Sequence, residues 1–169
     1  SPKERSYAYQ ISLASWEGAK ICLLQCSAES TPIFCLLQMV FTAQPLPTLL
    51  EAAKANGVTE SEVERALMYA AAFYGNLGNY KSFGDSKFVP ELAADRFRVF
   101  LTSGKAPTAE VEGLWEECAA RMYSLTPRQR QMGLGEGKGI STYFSSNCDE
   151  KDAEVCDRFL TSVNLSAYN

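Results

Sequence analysis

The residues that most often carry acid–base chemistry at neutral pH are missing from this sequence. Its 169 residues include no histidine. This absence excludes a Ser-His-Asp or Cys-His nucleophile pair, and it excludes every zinc site that needs an imidazole ligand. Acid–base catalysis would therefore need a carboxylate, lysine, tyrosine or cysteine whose pKa is shifted by its surroundings.

Thiols are the next candidates for chemistry. Cys22 and Cys26 are spaced i, i+4 and would share one face of a helix. The sequence has no CxxC and no second such pair to complete a tetrahedral zinc site. We favour reduced core thiols, because free cysteine packs as a small apolar side chain. Disulfides or a metal are the alternative for the full set, which is Cys22, Cys26, Cys35, Cys118, Cys148 and Cys156.

Two further patterns resemble catalytic motifs without meeting their requirements. Residues 133–139 contain four glycines, but a phosphate-binding loop ending at Lys138 needs a glycine where methionine stands and a hydroxyl where glycine stands. Glu116 and Glu117 are adjacent on a predicted helix, where neighbouring side chains point in different directions. We interpret the glycines as a connector and the carboxylates as a solvated face.

The 75–90 segment, GNLGNYKSFGDSKFVP, is the most informative stretch of the chain. Loops of this length without periodicity are functional or disordered, and the aromatic content argues against disorder. A glycine-hinged loop with aromatics beside Lys81 and Asp85 suits contact with an extended peptide: exposed backbone can pair with the ligand while the aromatics floor a subsite. The alternative is an ordered surface loop whose aromatics pin it to the protein body.

Composition places the chain among ordinary globular proteins. Its hydrophobic fraction is 46 % and its net charge is −4, which does not indicate nucleic-acid binding. The apolar runs fall far short of the roughly 20 residues that cross a bilayer, so we predict no membrane contact. The chain starts Ser-Pro without a methionine, which we interpret as a piece of a longer protein.

Helical periodicity runs through most of the chain, and it predicts a mainly α protein with about six to eight helices. Thr31-Pro32, Thr48-Leu49-Leu50-Glu51 and Thr59-Glu60-Ser61-Glu62 are predicted helix starts, the last two as capping boxes. We predict one unit over residues 1–169, with a long ordered loop at 75–90 and a short strand at 140–145. Further helices are predicted at about 6–26, 92–101, 107–124 and 149–163, the first and last amphipathic. We expect Trp16 to be a core or helix-contact residue, and the last helix to face inward with Ala153, Cys156, Phe159, Leu160 and Val163.

These stretches together resemble the dipeptidyl peptidase III family, zinc exopeptidases that remove dipeptides from peptide N-termini. The 75–90 segment resembles the corresponding family segment, and the other matching stretches follow in the family's order along nearly the whole chain. They are SYAYQISLASWEGAKICLLQ (6–25), ERALMYAAAFYGN (64–76), GLWEECAARMYSLTPRQRQMGLG (113–135), ISTYFSSNC (140–148) and FLTSVNLSAYN (159–169).

The resemblance implies a fragment of a larger cytoplasmic enzyme. Family members have two lobes around a wide cleft, and this chain is similar to the N-terminal, largely helical part of the α+β lower lobe. Zinc is held in the upper lobe by an HExxxH helix and a second glutamate motif. Glu116-Glu117-Cys118-Ala119-Ala120 imitates the second motif but lies in the wrong region and continues with Arg121 in place of an acid. The resemblance therefore implies no catalytic residue and no metal ligand in this chain.

The same resemblance implies a contribution to peptide binding. The loop around Phe83 resembles a wall of the cleft, and we expect Phe83 to contact substrate, with Tyr80, Lys81 and Ser82 as loop neighbours. Expected partners are oligopeptide substrates and the zinc-bearing upper lobe of the same parent chain. In the complete enzyme, zinc would assist attack of water on a peptide carbonyl, with a glutamate as general base.

Two other functions remain open from the sequence. A stand-alone helical interaction module derived from that lobe is the alternative, since 169 residues with well-capped helices can fold alone. A cysteine-based redox or transferase activity rests on six thiols without a base.

Overall fold

The computed structural model describes residues 1–82, 84–133, 140 and 149–165, and in this part the chain is mainly helical, as predicted. The predicted strand at 140–145 lies outside the described residues except for Ile140. The seven α-helices of the described part are α1 Pro2–Cys26, α2 Ser30–Thr42, α3 Leu46–Ala55, α4 Glu60–Asn76, α5 Ala94–Thr102, α6 Thr108–Tyr123 and α7 Glu150–Ser162, with a 3₁₀ turn at Pro127–Gln129.

Helix starts follow side-chain capping and proline placement. The predicted capping box at Thr59 is confirmed: the Thr59 side chain accepts from the amide of Glu62, and the Glu62 carboxylate accepts from the amide of Thr59. The capping box predicted at Thr48 is wrong. Helix α3 already begins at Leu46, with Pro45 as the N-cap and Pro47 in the first turn, where a proline costs no hydrogen bond.

The core lies between α2, α3, α4, α5 and α6, where aliphatic side chains surround a chain of aromatic contacts. The ring of Phe97 in α5 lies 5.8 Å from Tyr69 in α4 and 5.9 Å from Trp115 in α6, both nearly edge to face. The ring of Phe88, at the end of the 75–90 segment, lies 5.8 Å from Tyr69. The segment is thus packed onto the same core as the helices.

The first and last helices differ from the prediction that their apolar faces are buried. Residues 1–17 of α1 are all exposed, Trp16 by 65 %, and the buried side chains of α1 are Leu23 and Cys26 near its end. Of the residues predicted to face inward on the last helix, Phe159 in α7 and Val163 just after it are exposed. The apolar periodicity is present in the sequence, but in the described part of the chain nothing covers these faces.

The prediction of core thiols holds for part of the set. The five cysteines in the described residues are all free, and Cys26 and Cys118 are buried. Cys22, Cys35 and Cys156 are exposed, which corrects the expectation that they pack in the core. Cys148 lies outside the described residues.

Helices α2 and α3 are the apolar pair of the fold. Within the described ranges no single helix is long and apolar enough to cross a bilayer, and this pair passes such a test only jointly, across a bend of 95°. Their apolar side chains, including Leu36 and Leu49, lie in the core.

Candidate functional site

Within the 75–90 segment, residues 79–81 and 86–88 run antiparallel and pair through their backbones, and we call this pair the ribbon. The amide of Lys81 donates to the Ser86 carbonyl (2.9 Å), and the amide of Phe88 donates to the Asn79 carbonyl (3.1 Å). Residues 85–87 pair in turn with residues 130–132, through Lys87 N–H to the Arg130 carbonyl (2.7 Å) and Met132 N–H to the Asp85 carbonyl (2.8 Å). The segment is therefore held by backbone pairing on both sides, and Lys81, Ser82 and Gly84 lie at its tip.

The start of the ribbon is seated tightly on α1. After α4 the chain turns through Leu77 at φ +51° and Gly78 at φ +152°. A Cβ on Gly78 would lie 2.5 Å from the Cys26 Sγ, closer than Cβ atoms approach, and a tight 3.0 Å from the Ser30 Oγ. Position 78 thus requires glycine both for its backbone angle and for this contact.

Tyr80 lies underneath the ribbon. Its ring is buried, with 1 % exposed, and its hydroxyl donates to the Gln129 carbonyl at 2.8 Å. Burial, with a smaller contribution from the charge of Glu29, raises the pKa of the Tyr80 phenol well above its ordinary value. The phenol is therefore a neutral hydrogen-bond donor that fixes the ribbon to the 3₁₀ turn.

A buried polar cluster supports the ribbon from below. Lys87 Nζ donates to Glu29 Oε1 (2.8 Å) and to the Arg121 carbonyl (2.6 Å), and Asn79 Nδ2 donates to the same Glu29 oxygen (2.9 Å). The side chains of Glu29 and Lys87 are 1 % and 0 % exposed. Burial alone would raise the pKa of Glu29, but the hydrogen bonds and charge of Lys87, with the bond from Asn79, outweigh it and lower this pKa. Glu29 is thus held ionised inside the protein.

Two serines complete the cluster. The hydroxyls of Ser27 and Ser30 lie 2.9 Å and 3.2 Å from Asn79 Oδ1, and they hydrogen-bond each other at 2.8 Å. They fix the orientation of the Asn79 amide, so that its nitrogen faces Glu29.

The exposed tip of the ribbon has two amides that are already hydrogen-bonded within the chain. Lys81, Ser82 and Gly84 are exposed. The Ser82 amide donates to Asn76 Oδ1 (2.9 Å), while the Lys81 amide is already used within the ribbon. These two amides are therefore engaged and not available to pair with a peptide backbone. Phe83, the principal predicted contact, lies outside the described residues.

The structure thus divides the predicted site residues into two groups. Lys81 and Ser82 lie at the exposed tip and Tyr80 lies beneath it. Sequence reasoning missed the residues that carry the ribbon, above all Glu29 and Asn79. Glu29 is 58 residues from Lys87, and the only sequence signal was a cluster of polar residues before the start of α2.

Other chemistry is poorly supported in the described part of the chain. No group of three or more His, Cys, Asp or Glu side chains there could hold a metal ion. These residues therefore do not fit a zinc site. Burial raises the pKa of the Cys118 thiol to about 12, which keeps it protonated and unreactive. Glu116 and Glu117 are exposed, in line with the interpretation of a solvated face.

Comparison with known sequences identifies relatives of this chain. The model of peptidase family M49 matches residues 114–169. Dipeptidyl peptidase 3 of Homo sapiens is 51 % identical over 172 residues, which cover 100 % of this chain and 23 % of that protein. The Nematostella vectensis protein of the same name is 47 % identical over 99 % of this chain and 24 % of its own length. That of Dictyostelium discoideum is 43 % identical, over 99 % of this chain and 23 % of its own length.

In sequence, then, residues 114–169 of the chain match a family of peptidases, family M49. Along essentially its whole length the chain is similar to dipeptidyl peptidase 3, so the resemblance carried by the 75–90 segment and the other stretches is confirmed. The chain spans about a quarter of the length of the curated relatives it matches.

Proposed function

We propose that this chain is the N-terminal lower-lobe part of a cytoplasmic, zinc-dependent dipeptidyl peptidase that removes dipeptides from oligopeptide N-termini. The observation that carries the proposal is the identity of 43–51 % to proteins named dipeptidyl peptidase 3 along nearly the entire chain. In this proposal residues 1–169 are a single unit that contributes to the substrate cleft. The zinc ligands belong to the upper lobe of the same parent chain, and this part alone is inactive.

Within that enzyme, we assign the tip of the 75–90 segment to the cleft wall. Lys81 and Ser82 are exposed there, and they flank Phe83 on a ribbon whose base is packed into the core. An aromatic side chain on such a base can hold a substrate residue without losing much conformational freedom on binding. Because the amides of Lys81 and Ser82 are engaged, the tip contributes side-chain contacts, and a peptide bound as an added strand pairs with another edge. Tyr80 supports the tip from beneath.

The proposed partners are oligopeptides and the upper lobe, without nucleic acid or a membrane. The net charge of −4 disfavours a phosphate backbone as ligand. Zinc, held outside this chain, would activate the attacking water when bound. The residues described here bind and position the peptide.

The test is Phe83→Ala in the full-length protein, assayed with a dipeptidyl arylamide. Loss of one aromatic contact of about 1.4 kcal/mol should raise KM about tenfold, with a smaller change in kcat. The matched control is Leu46→Ala, which removes an exposed apolar side chain from α3 and should leave both constants unchanged. The 169-residue chain alone serves as the blank.

Three results would contradict the proposal. Unchanged kinetics in Phe83→Ala, or an unfolded variant, would reduce Phe83 to a packing residue. Hydrolysis by the blank would overturn the assignment of the zinc site to another part of the protein.

A further inference from the structure

The two arms of the ribbon share one anchoring point. Asn79 lies before the tip and Lys87 after it, and both donate to a single oxygen, Glu29 Oε1, at 2.9 Å and 2.8 Å. In the sequence, residues 79 and 87 each lie four positions from Phe83, one on either side of it. A change at Glu29 therefore acts on both sides of the tip at once.

The fold explains why these charges can lie inside the protein. Glu29 immediately precedes α2, where the positive end of the helix dipole favours a carboxylate. Lys87 Nζ donates to the carbonyl of Arg121 in the last turn of α6, where the negative end favours a cation. The ion pair thus connects opposite ends of two helices that pack against each other in the core.

Such a pair contributes more to geometry than to stability. A buried ion pair is weak support for stability, because taking both ions out of water offsets their attraction, and its best-attested use is to fix one register. Here the second carboxylate oxygen, Glu29 Oε2, has no hydrogen-bond partner among the described residues. Its counterpart Oε1 takes two donors, both from the ribbon. The bonding of this carboxylate is therefore directed at the ribbon.

We propose that Glu29, Asn79 and Lys87 are positioning residues, which hold the ribbon in one register so that its tip can bind peptide. The inference rests on the proposed function, since it assigns the tip to the cleft. The cluster touches neither substrate nor metal in this account. It acts by fixing the backbone on either side of Lys81 and Ser82.

The experiment uses the full-length protein with the double substitution Glu29→Gln/Lys87→Met, which removes both charges and leaves neither ion buried alone. Hydrogen exchange of peptides covering 79–88 reports the ribbon, and steady-state kinetics with a dipeptidyl arylamide report binding. We expect exchange of the Lys81 and Lys87 amides to speed up about tenfold, because their ribbon bonds open more often. We expect KM to rise about fivefold with kcat within about twofold of wild type.

Two controls separate positioning from general destabilisation. Leu49→Ala opens a cavity in the core at α3 and lowers the melting temperature, but it should leave the exchange of 79–88 and KM unchanged. The single variant Lys87→Arg keeps the positive charge at this position, so its KM should lie closer to that of wild type than the KM of the double variant does.

The outcomes are distinguishable from a failure of the proposed function. A folded double variant with wild-type exchange in 79–88 overturns the inference. The inference is also overturned if the double variant exchanges faster but keeps its KM while Phe83→Ala raises KM. In that case the tip binds peptide without needing the buried cluster to hold it. If Phe83→Ala also leaves KM unchanged, the proposed function itself fails, and the inference fails with it.

Discussion

The body formed by α2–α6 and the 75–90 segment contrasts with the first and last helices. In the body, large apolar side chains such as Phe97, Phe73 and Ile33 are fully buried. In α1 and α7, side chains of the same kind, such as Trp16 and Phe159, are about two-thirds exposed. A groove of about 550 Å³ also opens between α1 and the body, lined by Trp16, Phe34 and Tyr74 among others. An apolar stripe on a helix therefore does not by itself show that the helix packs against the core of its own chain.

The largest expected difference in stability is between substitutions of a phenylalanine in the body and of one in α7. Phe97→Ala should lower the free energy of unfolding of the 169-residue chain by about 3–5 kcal/mol, because it leaves a cavity among Tyr69, Phe100 and Trp115. Phe159→Ala, at an exposed position in α7, should change it by less than about 0.5 kcal/mol. Urea denaturation measures both, and comparable losses would show that α7 packs on the body.

The next effect compares two glycines and concerns the seat of the ribbon. Gly78→Ala should destabilise the chain by more than about 1 kcal/mol, because its φ is +152° and the added methyl meets the Cys26 sulfur. Gly113→Ala in α6, where a Cβ meets no atom within 4 Å, should stabilise it by about 0.5–1 kcal/mol. Urea denaturation again decides. A neutral Gly78→Ala would mean that the ribbon is not seated on α1 as described.

The smallest effect compares two surface ion pairs and depends on pH. Hydrogen bonds from Arg96, and from the Thr59 amide, lower the pKa of Glu62 from its ordinary 4.5 to about 2. Ionised Glu62 therefore stabilises the body above about pH 4.5, and this contribution is lost as the pH falls through about 2. Glu62→Gln should lower the melting temperature at pH 7, by an amount that shrinks steadily toward pH 2.

Glu17→Gln is the matched control for that measurement. Glu17 pairs with Lys20 on α1, where both side chains are more than 70 % exposed, so the pair is expected to contribute little at any pH. A loss equal to that of Glu62→Gln would remove the distinction between the two regions.

The sequence predicted local features of the fold better than contacts between distant residues. The capping box at Thr59 and the break before Pro107 placed α4 and α6, because each signal lies within one helical turn of the boundary it sets. The burial of α1 and α7 was predicted incorrectly, because periodicity reveals an apolar face without revealing what covers it.

The candidate site shows the same division. The glycines and aromatics of 75–90 marked an ordered, exposed loop, and its tip at Lys81 and Ser82 is exposed. The burial of Tyr80 and the role of Glu29 could not be predicted, because both depend on how α2 and α6 meet the ribbon. Such pairings are set by packing across tens of residues rather than by local pattern.

The contact between Gly78 and Cys26 gives the protein a chemical reporter. Cys26 is buried, and burial raises the pKa of its thiol, so a reagent reaches it only after the turn at Gly78 lifts away. With the other five cysteines replaced, the rate of alkylation at the Cys26 sulfur would report how often the ribbon detaches from α1. Under the proposed function, binding of a peptide at the tip should slow that reaction, without any turnover of substrate.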